Sequence, residues 1–120
     1  MPHIDSTQFG EVKVDGKKYF QILIIGNLVM ERDYKKLEEL FGTSHRIGDW
    51  EKQELVKENP EIIVIGLGQN GAMQEDEEFI EDMAKKNIEV ISAITPEAIK
   101  IYNQKAEESK RVNALIHTTC

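Results

Sequence analysis

Pro60-Glu61-Ile62-Ile63-Val64-Ile65-Gly66-Leu67-Gly68-Gln69-Asn70-Gly71 is the stretch that decides the fold. Ile62 to Ile65 form an unbroken β-branched run. Such a run has no polar alternation, so it reads as a strand covered on both faces, as at the centre of an α/β sheet. Pro60 disfavours a helical conformation at Asn59 and separates the strand from what precedes it. Gly66, Gly68 and Gly71 supply the backbone freedom for a tight exit turn. An acidic, helix-forming segment follows.

Working outward, residues 75–87 place Phe79, Ile80, Met83 and Ala84 on one helical face, with Asn87 as a C-cap. Ile88 to Ala93 is the next strand, parallel to the first through a right-handed crossover. Thr95-Pro96 marks a helix start with a hydroxyl cap, and Ala98, Ile99, Tyr102 and Ala106 form its buried stripe. Val112 to Thr118 is a final strand. Upstream, Val12 and Val14 alternate with charged residues in a strand over 9–15, and Asp15-Gly16 is a hairpin turn. A second strand over 18–25 and a third over 28–32 complete an antiparallel meander. Leu37, Leu40 and Phe41 stand at helical spacing within 34–41, which reads as one or two helical turns or as a strand-like excursion. Asp49 caps a helix over 50–58 that turns Trp50 and Leu55 inward. The expected fold class is α/β: a three-layer sandwich with a central mixed sheet and an attached antiparallel β-hairpin or meander, in a single domain over 1–120.

The 120 residues can bury a core without a disulfide or metal staple. The formal net charge of −7 argues against nucleic acid and against an anionic membrane surface as partners. No apolar run is long enough to span a membrane, no signal peptide is evident at the N-terminus, and Cys120 is the only cysteine. These features lead to the expectation of a reducing cytoplasm.

Gly66-x-Gly68-x-x-Gly71 has the spacing of a dinucleotide-binding turn. The rest of that motif is missing. Glu75, Asp76, Glu77 and Glu78 crowd the next helix start, where each carboxylate gains about 0.3–1 kcal/mol from the helix dipole and would repel a phosphate. The alternatives are a plain strand-to-helix turn or a small anion on the loop amides. His117 and Cys120 raise the question of a thiol activated by an imidazole, or of a metal site completed by His45 or His3. Residues three apart on a strand point to opposite faces, so His117 reads as a partly buried, satisfied residue and Cys120 as a packed thiol. Thr43, Ser44 and His45 lie on a loop between Gly42 and Gly48, either as ligand-binding groups or as an ordinary hydroxyl-stabilised turn. Tyr102 is expected to pack with its hydroxyl bonded, and Asn103 to bond a neighbouring loop.

Phe9-Gly10-x-Val12-x-Val14-x-Gly16, Gly42-Thr43-x-His45, Gly66-x-Gly68, Tyr102-Asn103, Arg111-Val112 and His117-x-Thr119-Cys120, in that order, resemble a known family. It is the small α/β family of mitochondrial complex I assembly factor 3 and the adipogenesis-associated domain protein. Across nearly its whole length the chain looks like a stand-alone prokaryotic, archaeal-type member. The resemblance implies a three-layer fold and, from the mitochondrial relative, a protein-binding or assembly role. It implies no reaction. The expected function is therefore a non-catalytic protein-binding or assembly-factor-like module with an unidentified protein partner, and no cofactor, metal or catalytic residue is assigned. The alternative is a small enzyme or anion-binding protein with a pocket between the Gly42–His45 loop and the Gly66–Gly71 turn. Its candidate ligand residues are Thr43, Ser44, His45, Gly66, Gly68, Tyr102, Asn103, His117 and Cys120.

Overall fold

The computed structural model describes residues 1–120. Chain order gives β1 (Ile4–Gln8), β2 (Glu11–Val14), β3 (Lys17–Tyr19), β4 (Ile22–Ile25), β5 (Leu28–Glu31), α1 (Tyr34–Phe41) and α2 (Asp49–Leu55). Then come β6 (Ile62–Leu67), α3 (Glu77–Lys85), β7 (Glu89–Ala93), α4 (Thr95–Glu107) and β8 (Val112–His117).

Ile62 to Ile65 are buried, as the apolar run requires, and β6 lies between two parallel neighbours, β8 and β7. The central sheet has five strands in the order β5-β4-β8-β6-β7. β4 runs antiparallel to both β5 and β8, so the sheet is mixed. β1, β2 and β3 form a separate antiparallel sheet.

Alternation along β8 sorts the core into two halves. Val112, Ala114 and Ile116 join Ile4, Val12 and Val14 of the small sheet and Ala98, Ile99 and Tyr102 of α4. Leu115 faces the other way, toward Ile47, Leu55, Met73, Phe79 and Met83. The small sheet and α4 therefore cover one face, and α2 and α3 the other, giving three layers.

Several local expectations are corrected. The run 18–25 is two strands in two different sheets, broken at Phe20-Gln21. Residues 28–31 pair with β4 in the central sheet and do not extend the N-terminal meander. β1 has little sequence signal, because Ile4 is its only large apolar residue. The acidic helix is shorter than 75–87: Asp76 is the N-cap and bonds the Phe79 amide, Ile80 is only partly buried and Ala84 is exposed. Asn87 does take the left-handed conformation that follows a helix end. Gly48, not Asp49, is the N-cap of α2, with its amide donating to the Glu51 carboxylate at 2.9 Å. Trp50 is half-buried and stacks on Phe41 with Lys36 above its ring.

Candidate functional site

The polar centre of the molecule lies where β4, β5 and β8 meet the 42–48 loop. Arg32, just past β5, is buried with its side chain fully enclosed, as is that of Glu51 on α2. The guanidinium forks onto the carboxylate, Nε to Oε2 at 2.7 Å and Nη2 to Oε1 at 2.8 Å. Its remaining donors reach Gln21 Oε1 at 2.8 Å, the Ser44 carbonyl at 3.1 Å and the Arg46 carbonyl at 2.7 Å. A buried ion pair repays its desolvation only when its other donors are also satisfied. Here they are, and two of them hold the loop from beneath.

Gln21 links this pair to His117. Because Nη1 of Arg32 can only donate, the atom it meets on Gln21 must be the amide oxygen. His117 Nδ1, 2.9 Å from that same oxygen, therefore carries the proton, and Nε2 accepts from the Thr119 hydroxyl at 3.1 Å. His117 is fully buried, more so than its sequence suggested. The His45 ring meets it edge-on, with centroids 4.8 Å apart. Burial, the Arg32 cation and His45 together push the His117 imidazole down to about 4.

Thr119, His117 and Gln21 have the order of a hydroxyl, a base and an orienting group. The electrostatics run the other way. A general base must hold a proton in the transition state and is helped by a buried carboxylate. His117 instead faces a neutral amide already bonded to Arg32, whose Nη1 is 3.5 Å from its own Nδ1. This weighs against His117 as a base. Cys120 is exposed rather than packed, and makes no thiol–imidazole pair.

The glycine turn is occupied by the chain itself. The Gln69 amide donates to the Thr119 carbonyl, and those of Asn70 and Ala72 to Cys120 O, at 2.8–3.0 Å. Gly68 has φ +102°, and a Cβ there would collide with the Thr119–Cys120 main chain. Gly66 lies against Thr95, Ile116 and Ala98. Thr95, expected to cap α4, does something else. Its hydroxyl accepts from the Gly68 amide and donates to the His117 carbonyl, and Ile94 takes the N-cap position.

Tyr102 and Asn103 are on the opposite face of the sheet from His117. Asn103 clamps a strand rather than a loop: its amide accepts from the Ile4 N–H at 2.9 Å and donates to the Ile4 carbonyl at 2.8 Å. The Tyr102 hydroxyl, expected to be bonded, is buried without a partner, and burial pushes its acidity well below that of an ordinary tyrosine. Thr43 accepts from the His45 amide in a short hydroxyl turn, and Ser44 is buried. The candidate residues thus divide among three places. Sequence reasoning missed Arg32, Glu51 and Gln21; the only signal was Glu51 three residues beyond Gly48, where a carboxylate completes a cap.

Two surface features remain. One is an open cleft of about 640 Å³ between His45–Ile47 and Gln74–Glu77. It lies beside the 42–48 loop but beyond the glycine turn, and of the candidate residues only His45 lines it. Glu75, Asp76 and Glu77 face it with Arg46, while Lys52 pairs with Asp76 at 2.8 Å. No group of three His, Cys, Asp or Glu side chains gathers as a metal site. No helix is long and apolar enough to cross a membrane. The other feature is an aromatic corner where the two sheets meet. Phe9 is 64% exposed, Tyr34 44% and Phe20 37%. The Phe20 and Tyr34 rings meet edge-on at 5.4 Å, and Gly10, next to Phe9, lies against the Phe20 ring.

Residues 4–117 match the family model described as "Protein of unknown function (DUF498/DUF598)". Among solved structures, one named MT938 is 31% identical over the whole of both chains, with a TM-score of 0.77. The conserved hypothetical protein PH1505 from Pyrococcus horikoshii OT3 is 30% identical over 98% of each chain, with a TM-score of 0.78. A Bordetella pertussis protein described as a Mth938-like domain shares the fold at 14% identity over 97% of this chain and 85% of its own, with a TM-score of 0.63.

Proposed function

We propose that the chain, which belongs to the DUF498/DUF598 family, is a non-catalytic module that binds another protein in an assembly role. The observation that carries this reading is the aromatic corner. Phe20 and Tyr34 present paired rings to solvent, Phe9 is exposed on the turn whose Gly10 approaches the Phe20 ring, and aromatic side chains are enriched where proteins bind one another. The polar network supports the same reading from the inside. Its members bond one another and the loop, so they act as a brace. The resemblance to complex I assembly factor 3 is consistent with such a role.

The test is affinity capture with the wild-type chain and with a Phe9→Ser/Tyr34→Ser variant shown by circular dichroism to be folded. The expected result is a partner recovered in near-equal amount by the wild type and lost by the variant. Equal recovery by both baits, or no partner for either, would overturn the proposal.

The cleft beside His45 favours a second reading, a small-molecule site. Three carboxylates face a single arginine there, so its chemistry suits a cation better than an anion. Titration of inorganic phosphate against the ¹⁵N-labelled protein tests the anion alternative, for which these charges predict no binding. Saturable shifts confined to 45–47 and 74–77 would support an anion site; their absence would remove it.

A further inference from the structure

We infer that the aromatic corner docks a lysine- or arginine-bearing segment of the partner that also carries apolar side chains. This rests on the protein-binding reading above and gives the partner its chemistry.

The charges around the corner carry the inference. Glu11 and Lys18, beside the Phe9–Gly10 turn, approach to 3.9 Å and offset one another. Beyond that pair, Glu31, Asp33 and Lys35 are exposed around Phe20 and Tyr34, and the half-buried Glu38, one helical turn beyond Tyr34, raises the pKa of its hydroxyl. Glu31 is placed there by register, since it stands opposite Ile22 on β4, just after Phe20-Gln21. The Lys36 ammonium keeps its charge but is directed to the Trp50 ring, 4.2 Å from the centroid, rather than to Phe20 or Tyr34. The rim of the apolar surface is therefore negative. Ring faces attract Lys and Arg, and the carboxylates add to that attraction.

The same charges rank the other occupants. A second copy would bring two negative rims together, each on a chain of net charge −7. Nucleic acid would meet carboxylates where it needs cations. A basic segment with apolar residues suits both the rings and the rim, and the field of the whole chain steers it inward.

The experiment measures fluorescence anisotropy of a short synthetic peptide mixing lysine and leucine, against a counterpart mixing glutamate and leucine. Baits are the wild type, Phe9→Ser/Tyr34→Ser, Glu31→Lys, and Glu81→Gln on the distant α3. The expected result is saturable binding of the lysine peptide, weakened roughly tenfold by Phe9→Ser/Tyr34→Ser and several-fold by Glu31→Lys, unchanged by Glu81→Gln, and weaker at high salt. Equal binding of both peptides, binding lost equally with Glu81→Gln, or no binding would overturn the inference. So would a dimer in light scattering that Phe9→Ser/Tyr34→Ser dissolves. If the native partner is captured through the corner while the lysine peptide fails, the binding function stands and only the partner chemistry falls.

Discussion

Thr95 shows how one side chain can join three segments. Its hydroxyl takes the Gly68 amide and gives its proton to the His117 carbonyl, so the glycine turn, α4 and the end of β8 share one oxygen. Thr95→Val keeps the shape and removes both bonds, leaving two buried backbone groups unpaired. The expected loss is roughly 2–4 kcal/mol in urea denaturation, while Thr95→Ser retains most of the stability. From sequence, Thr before Pro reads as a cap, because local pattern shows only local partners. His117 and Gly68 are far from Thr95 in the chain, and nothing in its neighbours marks them. Arg32 and Glu51 were illegible for a related reason. Charged residues are solvated by default, and a buried pair leaves no periodic trace.

Elements were legible where the pattern was strong. The buried run of β6, the crossover to β7, and the Pro-started α4 follow from β-branching, helical spacing and proline. The 18–25 run was not resolved, because apolar content shows where a strand lies but not which sheet it joins. The change of sheet at Phe20-Gln21 has a physical cause downstream: the Phe20 carbonyl accepts from the Thr118 hydroxyl, and the Gln21 side chain turns to Arg32 and His117. The small sheet is held to α4 by another side chain. Asn103 supplies both partners of Ile4, acting as a substitute strand edge. Asn103→Ala should cost about 1–3 kcal/mol and raise amide exchange at Ile4 and along β1, with β6 and β8 unaffected. Faster exchange spread evenly over both sheets would show that the clamp is not local.

At the scale of the whole molecule, stability should depend on acid in two windows. The folded His117 is held down to about 4, against 6.5 when unfolded. The unfolded chain therefore binds the proton first, and stability falls as pH drops from about 6.5 to 4, by roughly 3 kcal/mol in all. Asp5, Glu61 and Asp76 are lowered instead, Asp5 by its bonds to His3 and Gly16, Glu61 by the Arg111 amide, and Asp76 by Lys52 and the Phe79 amide against the opposing effect of burial. Their contribution is present above the unfolded carboxylate range and is lost below it. Urea denaturation at pH 7 and 4.5 checks the upper window: a His117→Gln variant should show little of the fall seen in the wild type.

The order of the central sheet has a consequence for how the chain is made. β8 is the eighth strand to leave the ribosome, yet it lies between β4 and β6. Until it emerges, the β4–β5 hairpin and the β6–β7 unit have no common strand, and their apolar edges wait for one another. Completion of the sheet therefore waits for β8, and a nascent chain stalled before Val112 would hold two half-sheets for a chaperone to shield.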